Sequence, residues 1–170
     1  MEATKITVKD ADLRKGAEAG MDEFLQVFID KYLELTGDDV SADTMSLFNG
    51  YQHTLLGYHY FRREVLEGGF VQLIQNGYGP YIFDNPFAKA MRMFGAKEFA
   101  KLIYAAKKIY DEHKEDLQKE RTDEEFMAMY ERYEEFDDLE EKFMDMEEQV
   151  TAQIAAYVDE HLEQFAVVES

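Results

Sequence analysis

The chain has 170 residues, of which 46% are hydrophobic and 14% aromatic, enough to bury a core in one domain and too apolar for a disordered acidic tail. Cysteine is absent, which excludes disulfides, thiolate zinc sites and Cys nucleophiles. The net charge of −19 argues against nucleic acid and anionic lipid as direct partners, since both repel an acidic surface.

Two prolines and ten glycines are few breaks for this length and favour long helices over a many-turned β protein. The first residues, Met1-Glu2-Ala3-Thr4-Lys5, lack the basic-then-apolar pattern of a signal peptide. No apolar run approaches the roughly 20 residues needed to cross a bilayer. A cytoplasmic location is expected.

Residues 5–8 suit a short extended segment, and a first short helix is expected from about Asp10 to Gly16. Met21, Phe24, Leu25, Phe28, Ile29 and Tyr32 recur at helical spacing and predict a helix over about 20–36, closed by Gly37. A loop over Gly37–Ala42, capped at Ser41 or Asp43, leads into a helix over 44–67 with Phe48, Tyr51, Leu55, Tyr58 and Val65 on one face. Gly50 and Gly57 weaken that helix by about 1 kcal/mol each. Gly68-Gly69 stops it, and Phe70–Gln75 forms one or two further turns ended by Asn76-Gly77.

Tyr78–Asp84 is expected as a loop around Gly79-Pro80. Its Tyr78, Tyr81 and Phe83 are either an exposed contact surface or packed back on the body. Asn85-Pro86 marks a helix start, with Phe87, Ala90, Met91 and Phe94 inward and Gly95 at the end. Phe99, Leu102, Ile103, Ala106, Ile109 and Tyr110 form the stripe of a helix over 97–113.

Thr122 with Glu125 reads as a capping box, and Asp137 with Glu140 as a weaker one. The first opens a helix that buries Phe126, Tyr130 and Tyr133. The second opens a long helix reaching towards Phe165, with the stripe Leu139, Phe143, Met146, Val150, Ile154 and Tyr157. No internal repeat is evident. The fold expected is an all-α, compact single-domain bundle of about seven helices, without a sheet. Its parts are an N-terminal extension, residues 1–45, and a helical domain, residues 46–165, forming one compact unit.

Charge is unevenly placed. Residues 1–110 carry 13 basic and 15 acidic side chains, whereas 111–163 carry 5 and 21. Asp138, Glu141, Asp145 and Glu148 fall within about an 80° arc of the last long helix, opposite its apolar stripe. Glu124, Glu131 and Glu135 form a second row upstream. Like charges three or four apart cost a helix about 0.2–0.5 kcal/mol per pair, and Arg132 and Lys142 are the only basic residues between 122 and 158. Helix neighbours four apart lie about 6 Å apart along the axis, against one DNA charge per roughly 3.4 Å of each strand. Two adjacent rows would imitate a phosphate track. A merely solvated acidic face explains the same charge.

Known chemistries leave little trace. His53, His59, His113 and His161 form neither the Glu-x-x-His of di-iron bundles nor a zinc helix. His113 and His161 stand beside carboxylates, as exposed ion pairs would. Gly77-Tyr78-Gly79 lacks the third glycine and preceding strand of a dinucleotide loop. No catalytic, cofactor-binding or metal-binding residue is assigned, and no enzyme is expected.

Gly68-Gly69-Phe70-Val71-Gln72, followed by Asn76-Gly77, Phe94-Gly95-Ala96 and Phe136-Asp137-Asp138-Leu139, resembles the family of bacterial DNA-mimic proteins over about residues 50–165. Glu67 replaces the family's usual Asn, Leu73-Ile74 replace an aromatic pair, and residues 1–45 have no recognisable counterpart. The resemblance implies a helical fold, a homodimer, and an acidic surface that occupies the DNA site of a transcription factor or other basic protein. Gly68, Gly69, Phe70, Gln72, Asn76 and Gly95 are then structural. Two other readings stay open: an immunity-type inhibitor of a basic toxin, and a structural helical domain.

Overall fold

The computed structural model describes residues 6–36, 46–84 and 86–170. Among these residues nine α-helices account for nearly all regular structure, so the chain is all-α. The expected Gly37 terminus, Ser41 or Asp43 cap and Asn85 cap lie outside the described residues. The chain divides into two compact units, one built from residues up to Leu56 together with those from Glu148 on, the other spanning Gly57–Glu147.

In the first unit, β1 (Thr7–Lys9) pairs in parallel with β2 (Val167–Glu169), Val8 opposite Val168. This two-stranded sheet corrects the expectation of none: three residues at each end are too short to show a periodicity in sequence. Helices α1 (Asp10–Ala19) and α2 (Met21–Thr36) follow. Helix α2 buries its stripe except Met21, which stays 53% exposed. Tyr32 donates its hydroxyl to the Phe165 carbonyl at 2.8 Å and so ties α2 to the chain's end.

The long helix α3 (Gly50–Gln75) begins six residues later than expected. Asn49 and Gln52 explain the start: each side chain accepts from the other's backbone N–H, at 2.8 and 2.9 Å, a reciprocal cap like the Ser/Thr-x-x-Glu box.

In the second unit α3 continues to Gln75 and breaks at Gly69, where the Gly68-Gly69 pair was expected to stop it. At Gly57 an ideal Cβ would lie only 3.1 Å from the Phe87 ring, so the missing side chain lets that ring pack against the helix. Gly79–Phe83 forms a short helix, α4, rather than a loop. Helix α5 (Phe87–Met93) has Pro86 as its cap, one position before the expected N1. At its end Gly95, at φ 95°, donates to the Arg92 carbonyl while Ala96 donates to that of Met91, a Schellman closure.

Helix α6 (Lys97–Gln118) runs past the expected end, with a kink at His113. Helix α7 (Asp123–Arg132), a 3₁₀ turn (Glu134–Phe136) and α8 (Asp137–Glu160) complete the unit, α8 extending into the first. Helix α9 (Leu162–Phe165) separates from α8 at His161, which corrects the single helix expected to reach Phe165. Phe61 centres the core of the second unit, with ring centroids 4.9 Å from Phe143, 5.1 Å from Phe99 and 5.6 Å from Phe70.

Candidate functional site

The acidic helices start from a formed capping box. Glu125 N–H donates to the Thr122 hydroxyl, and Thr122 N–H donates to the Glu125 carboxylate at 3.0 Å. These bonds hold the Glu125 carboxyl below its ordinary value. Beneath α7, Met129 and Tyr133 are buried, while Phe126 and Tyr130 are half-buried. The second expected box does not form. Asp137 already has helical backbone angles, as the 3₁₀ turn runs straight into α8.

Glu140 instead faces α3. Its carboxylate accepts from Phe70 N–H at 2.9 Å, and burial raises its pKa despite that bond. The bond exists because Gly69 takes φ 74°, ψ −172°, a conformation essentially confined to glycine. That turn frees the Phe70 N–H from the helix ladder. It also brings the Glu140 carboxylate into the space that a Cβ on Gly69 would fill. The Tyr130 hydroxyl donates to the Gly68 carbonyl at 2.8 Å, so both acidic helices are fastened to the same turn. Phe70 then stacks on Phe136, centroids 5.1 Å apart.

The remaining motif residues surround another acid. Glu64 is 4% exposed and accepts from Gln72 Nε2 at 3.2 Å and Asn76 Nδ2 at 2.6 Å. Gly69 and Gly95 take positive φ at turns, Phe70 is in the core, and Gln72 and Asn76 hold Glu64. Sequence reasoning missed Glu64 as their partner. Glu64 lies before the Gly69 break, Gln72 after it and Asn76 beyond the helix end, so no helical spacing in the sequence pairs them.

Asp116, on α6, is the third inward acid. It accepts from Arg132 Nη1 at 3.1 Å, from Arg121 and from the Tyr133 hydroxyl. The Tyr133 hydrogen bond, with the two guanidiniums, holds its carboxyl far below the ordinary carboxylate range. Burial, with Asp116 as acceptor, pushes the Tyr133 hydroxyl up to about 12. Two of the few cations in the acidic third are thus consumed by one residue outside both acidic rows.

Glu124, Glu131, Glu135, Asp138, Glu141, Asp145 and Glu148 are all exposed. Among the described residues Glu135 has one ionisable neighbour within 4.0 Å, His113, with Nε2 to Oε1 at 3.9 Å. Glu124, Glu131, Asp138, Glu141, Asp145 and Glu148 enter no ion pair with the described residues. Glu124 and Glu131 share the outer face of α7, Glu135 sits in the 3₁₀ turn, and the other four share the outer face of α8. Arg62 from α3 reaches Glu147 at 3.3 Å, not one of these acids.

Tyr78 and Phe83 are buried and Tyr81 half-buried, so the loop read as a candidate contact surface packs inward. His161 stacks on Tyr157 with centroids 4.0 Å apart, in place of the ion pair expected for it. Among the described residues no cluster of three His, Cys, Asp or Glu side chains is placed to hold a metal ion. No described helix is long and apolar enough to cross a membrane.

Comparison with known proteins fits this arrangement. The chain is 31% identical to the DNA mimic protein DMP19 of Neisseria meningitidis serogroup B (strain ATCC BAA-335 / MC58), over 164 residues covering 96% of each chain. That alignment reaches into the first 45 residues, for which no counterpart was expected. The model of the DMP19-like protein family matches residues 46–161, the span that holds the glycine turn, the Asp116 hub and both acidic helices. The chain belongs to the DMP19-like protein family.

Proposed function

We propose that this chain is a DNA mimic: an acidic binding protein that occupies the DNA-binding surface of a basic protein such as a transcription factor. Its bearers are Glu124, Glu131, Glu135, Asp138, Glu141, Asp145 and Glu148, each an ionised carboxylate standing where a phosphate would. One observation carries the reading. The exposed acids of α7 and α8 form no ion pair with the nearby cations Arg121 and Arg132, which Asp116 binds instead. Membership of the family supports it, since the relative from Neisseria meningitidis carries the name of a DNA mimic.

Fixed anions on rigid helices bind cations without first being ordered, and they release the partner's counterions much as DNA does. Affinity therefore falls steeply with salt. The test is displacement: the chain is titrated into complexes of host DNA-binding proteins with labelled duplex DNA, at two salt concentrations. Release of the duplex at low salt, reduced at high salt, is the expected result. Reversal of Glu141, Asp145 and Glu148 to Lys should weaken release at low salt by about a hundredfold or more. Unchanged release by that variant removes these residues from the binding surface.

A further inference from the structure

Helices α7 and α8 carry the same short string. Glu124-Glu125-Phe126-Met127-Ala128-Met129-Tyr130-Glu131 and Glu141-Lys142-Phe143-Met144-Asp145-Met146-Glu147-Glu148 both read Glu-x-Phe-Met-x-Met-x-Glu. No internal repeat was expected from the sequence, and eight residues recurring after seventeen are too few to stand out there. The helices give the string a meaning. The Phe and the second Met turn inward: Phe143 and Met129 are buried, Phe126 and Met146 half-buried. The first Met turns outward in both copies. Met127 is 64% exposed and Met144 57% exposed.

At 100° per residue, each exposed Met lies within about 60° of both glutamates of its own string. Along the axis it stands about 4.5 Å from the first and 6 Å from the second. A single exposed apolar residue needs no explanation. The same one at the same register on both acidic helices is harder to assign to solvation, which Lys, Gln or Glu would serve better. Each outer face is thus a pair of carboxylates with a flexible, polarisable thioether between them.

We infer that Met127 and Met144 are apolar anchors of the binding surface, and that they select a basic partner carrying an apolar side chain between two cations. This rests on the DNA-mimic reading and specifies its partner. The excess of 21 acidic over 5 basic side chains across residues 111–163 requires the cations. The interleaved thioethers require the apolar group. Elements that read DNA have this chemistry, with Arg and Lys on phosphates flanking side chains that touch the thymine methyl. A thioether offers the same contact as that methyl.

Two synthetic helical peptides of equal charge test this. Both carry Arg at positions i and i+7, and one has Leu, the other Gln, at i+4. Each is titrated into the full chain labelled at its methionine methyl groups, with M127Q and M144Q used to assign the signals. The Leu peptide should bind about tenfold tighter or better and shift the Met127 and Met144 methyl signals. In the M127Q/M144Q double variant that preference should disappear, while the salt dependence stays. Equal affinities with unmoved methyl signals overturn the anchor proposal and leave the electrostatic reading standing. Failure of both peptides to bind at low salt overturns the two together. Methyl shifts that track protein concentration without peptide assign the face to a second copy of this chain, and also overturn the anchor.

Discussion

Inward and outward carboxylates of the second unit have opposite fates. Glu64, Asp116 and Glu140 each accept from at least one donor of a neighbouring segment and serve as fasteners of the backbone. Glu124, Glu131, Asp138, Glu141 and Asp145 face water without an ion pair among the described residues. The difference is not composition, since Glu140 and Glu141 are adjacent. It is the roughly 100° between successive helix positions, which sends one to the Gly69 turn and the other to solvent. Asp116 also leaves the outward acids unpaired with Arg121 and Arg132, since it draws off both. Damage to the inward set should therefore act first on stability, and damage to the outward set on partner binding alone.

Replacement of Gly69 by Ala tests the inward set most severely. A side chain there must leave φ 74° or drive the Glu140 carboxylate away. The backbone conformation alone costs about 1–3 kcal/mol for a non-glycine residue, and loss of the Phe70 N–H acceptor adds about 1 kcal/mol. A loss of about 3 kcal/mol is expected in urea unfolding. Displacement of duplex DNA by the fraction that remains folded should not change. A Gly69→Ala chain as stable as wild type would show that the turn does not hold the acidic helices.

Much of this was legible before the fold. The capping box at Thr122, the helical stripes and the outward rows follow from periodicity and local side-chain chemistry, and Gly68-Gly69 marked the break in α3. The inward acids were not legible. Glu140 looked like the second half of a capping box with Asp137, because the spacing suits one; the 3₁₀ turn from Glu134 removes the non-helical residue that a box needs. Asp116 stood among five nearby acids with nothing to distinguish it, and its three donors come from segments that only the fold brings together. Tyr78 and Phe83 misled in the other direction, since a Gly-Pro pair can open a short helix as well as a loop.

Asp116→Ala should come next in size. It leaves Arg121, whose side chain is 8% exposed, without the charge it binds, and it frees Tyr133 and Arg132. A loss of about 2 kcal/mol is expected at pH 7. The folded-state carboxyl titrates below the ordinary value of 3.8, so wild type holds this stability above that value and loses it as pH falls through the folded one. The gap between variant and wild type should therefore stay constant from pH 7 down to about 5 and narrow below about 3.8. A second effect sharpens the comparison. With the hub gone, the exposed Arg132 is available to the outward acids, so the variant should also displace DNA more weakly than wild type at equal folded fraction.

Glu140→Gln should change least, and its sign is opposite. Glutamine keeps an oxygen for Phe70 N–H and removes the charge that burial disfavours. In wild type the folded carboxyl titrates above its ordinary value of 4.5, so the folded chain holds that proton more tightly than the unfolded chain does. Its contribution is complete below about 4.5 and is lost as pH rises through the folded value. The variant escapes that loss. Its stability relative to wild type should rise with pH across this window and level off above it, by less than about 1 kcal/mol for a partly solvated group. Urea unfolding at pH 4.5 and pH 7 measures the difference directly. A variant that weakens as pH rises would mean that the ionised carboxylate, rather than a neutral acceptor, is what Phe70 needs, and Glu140 would then hold the turn by its charge.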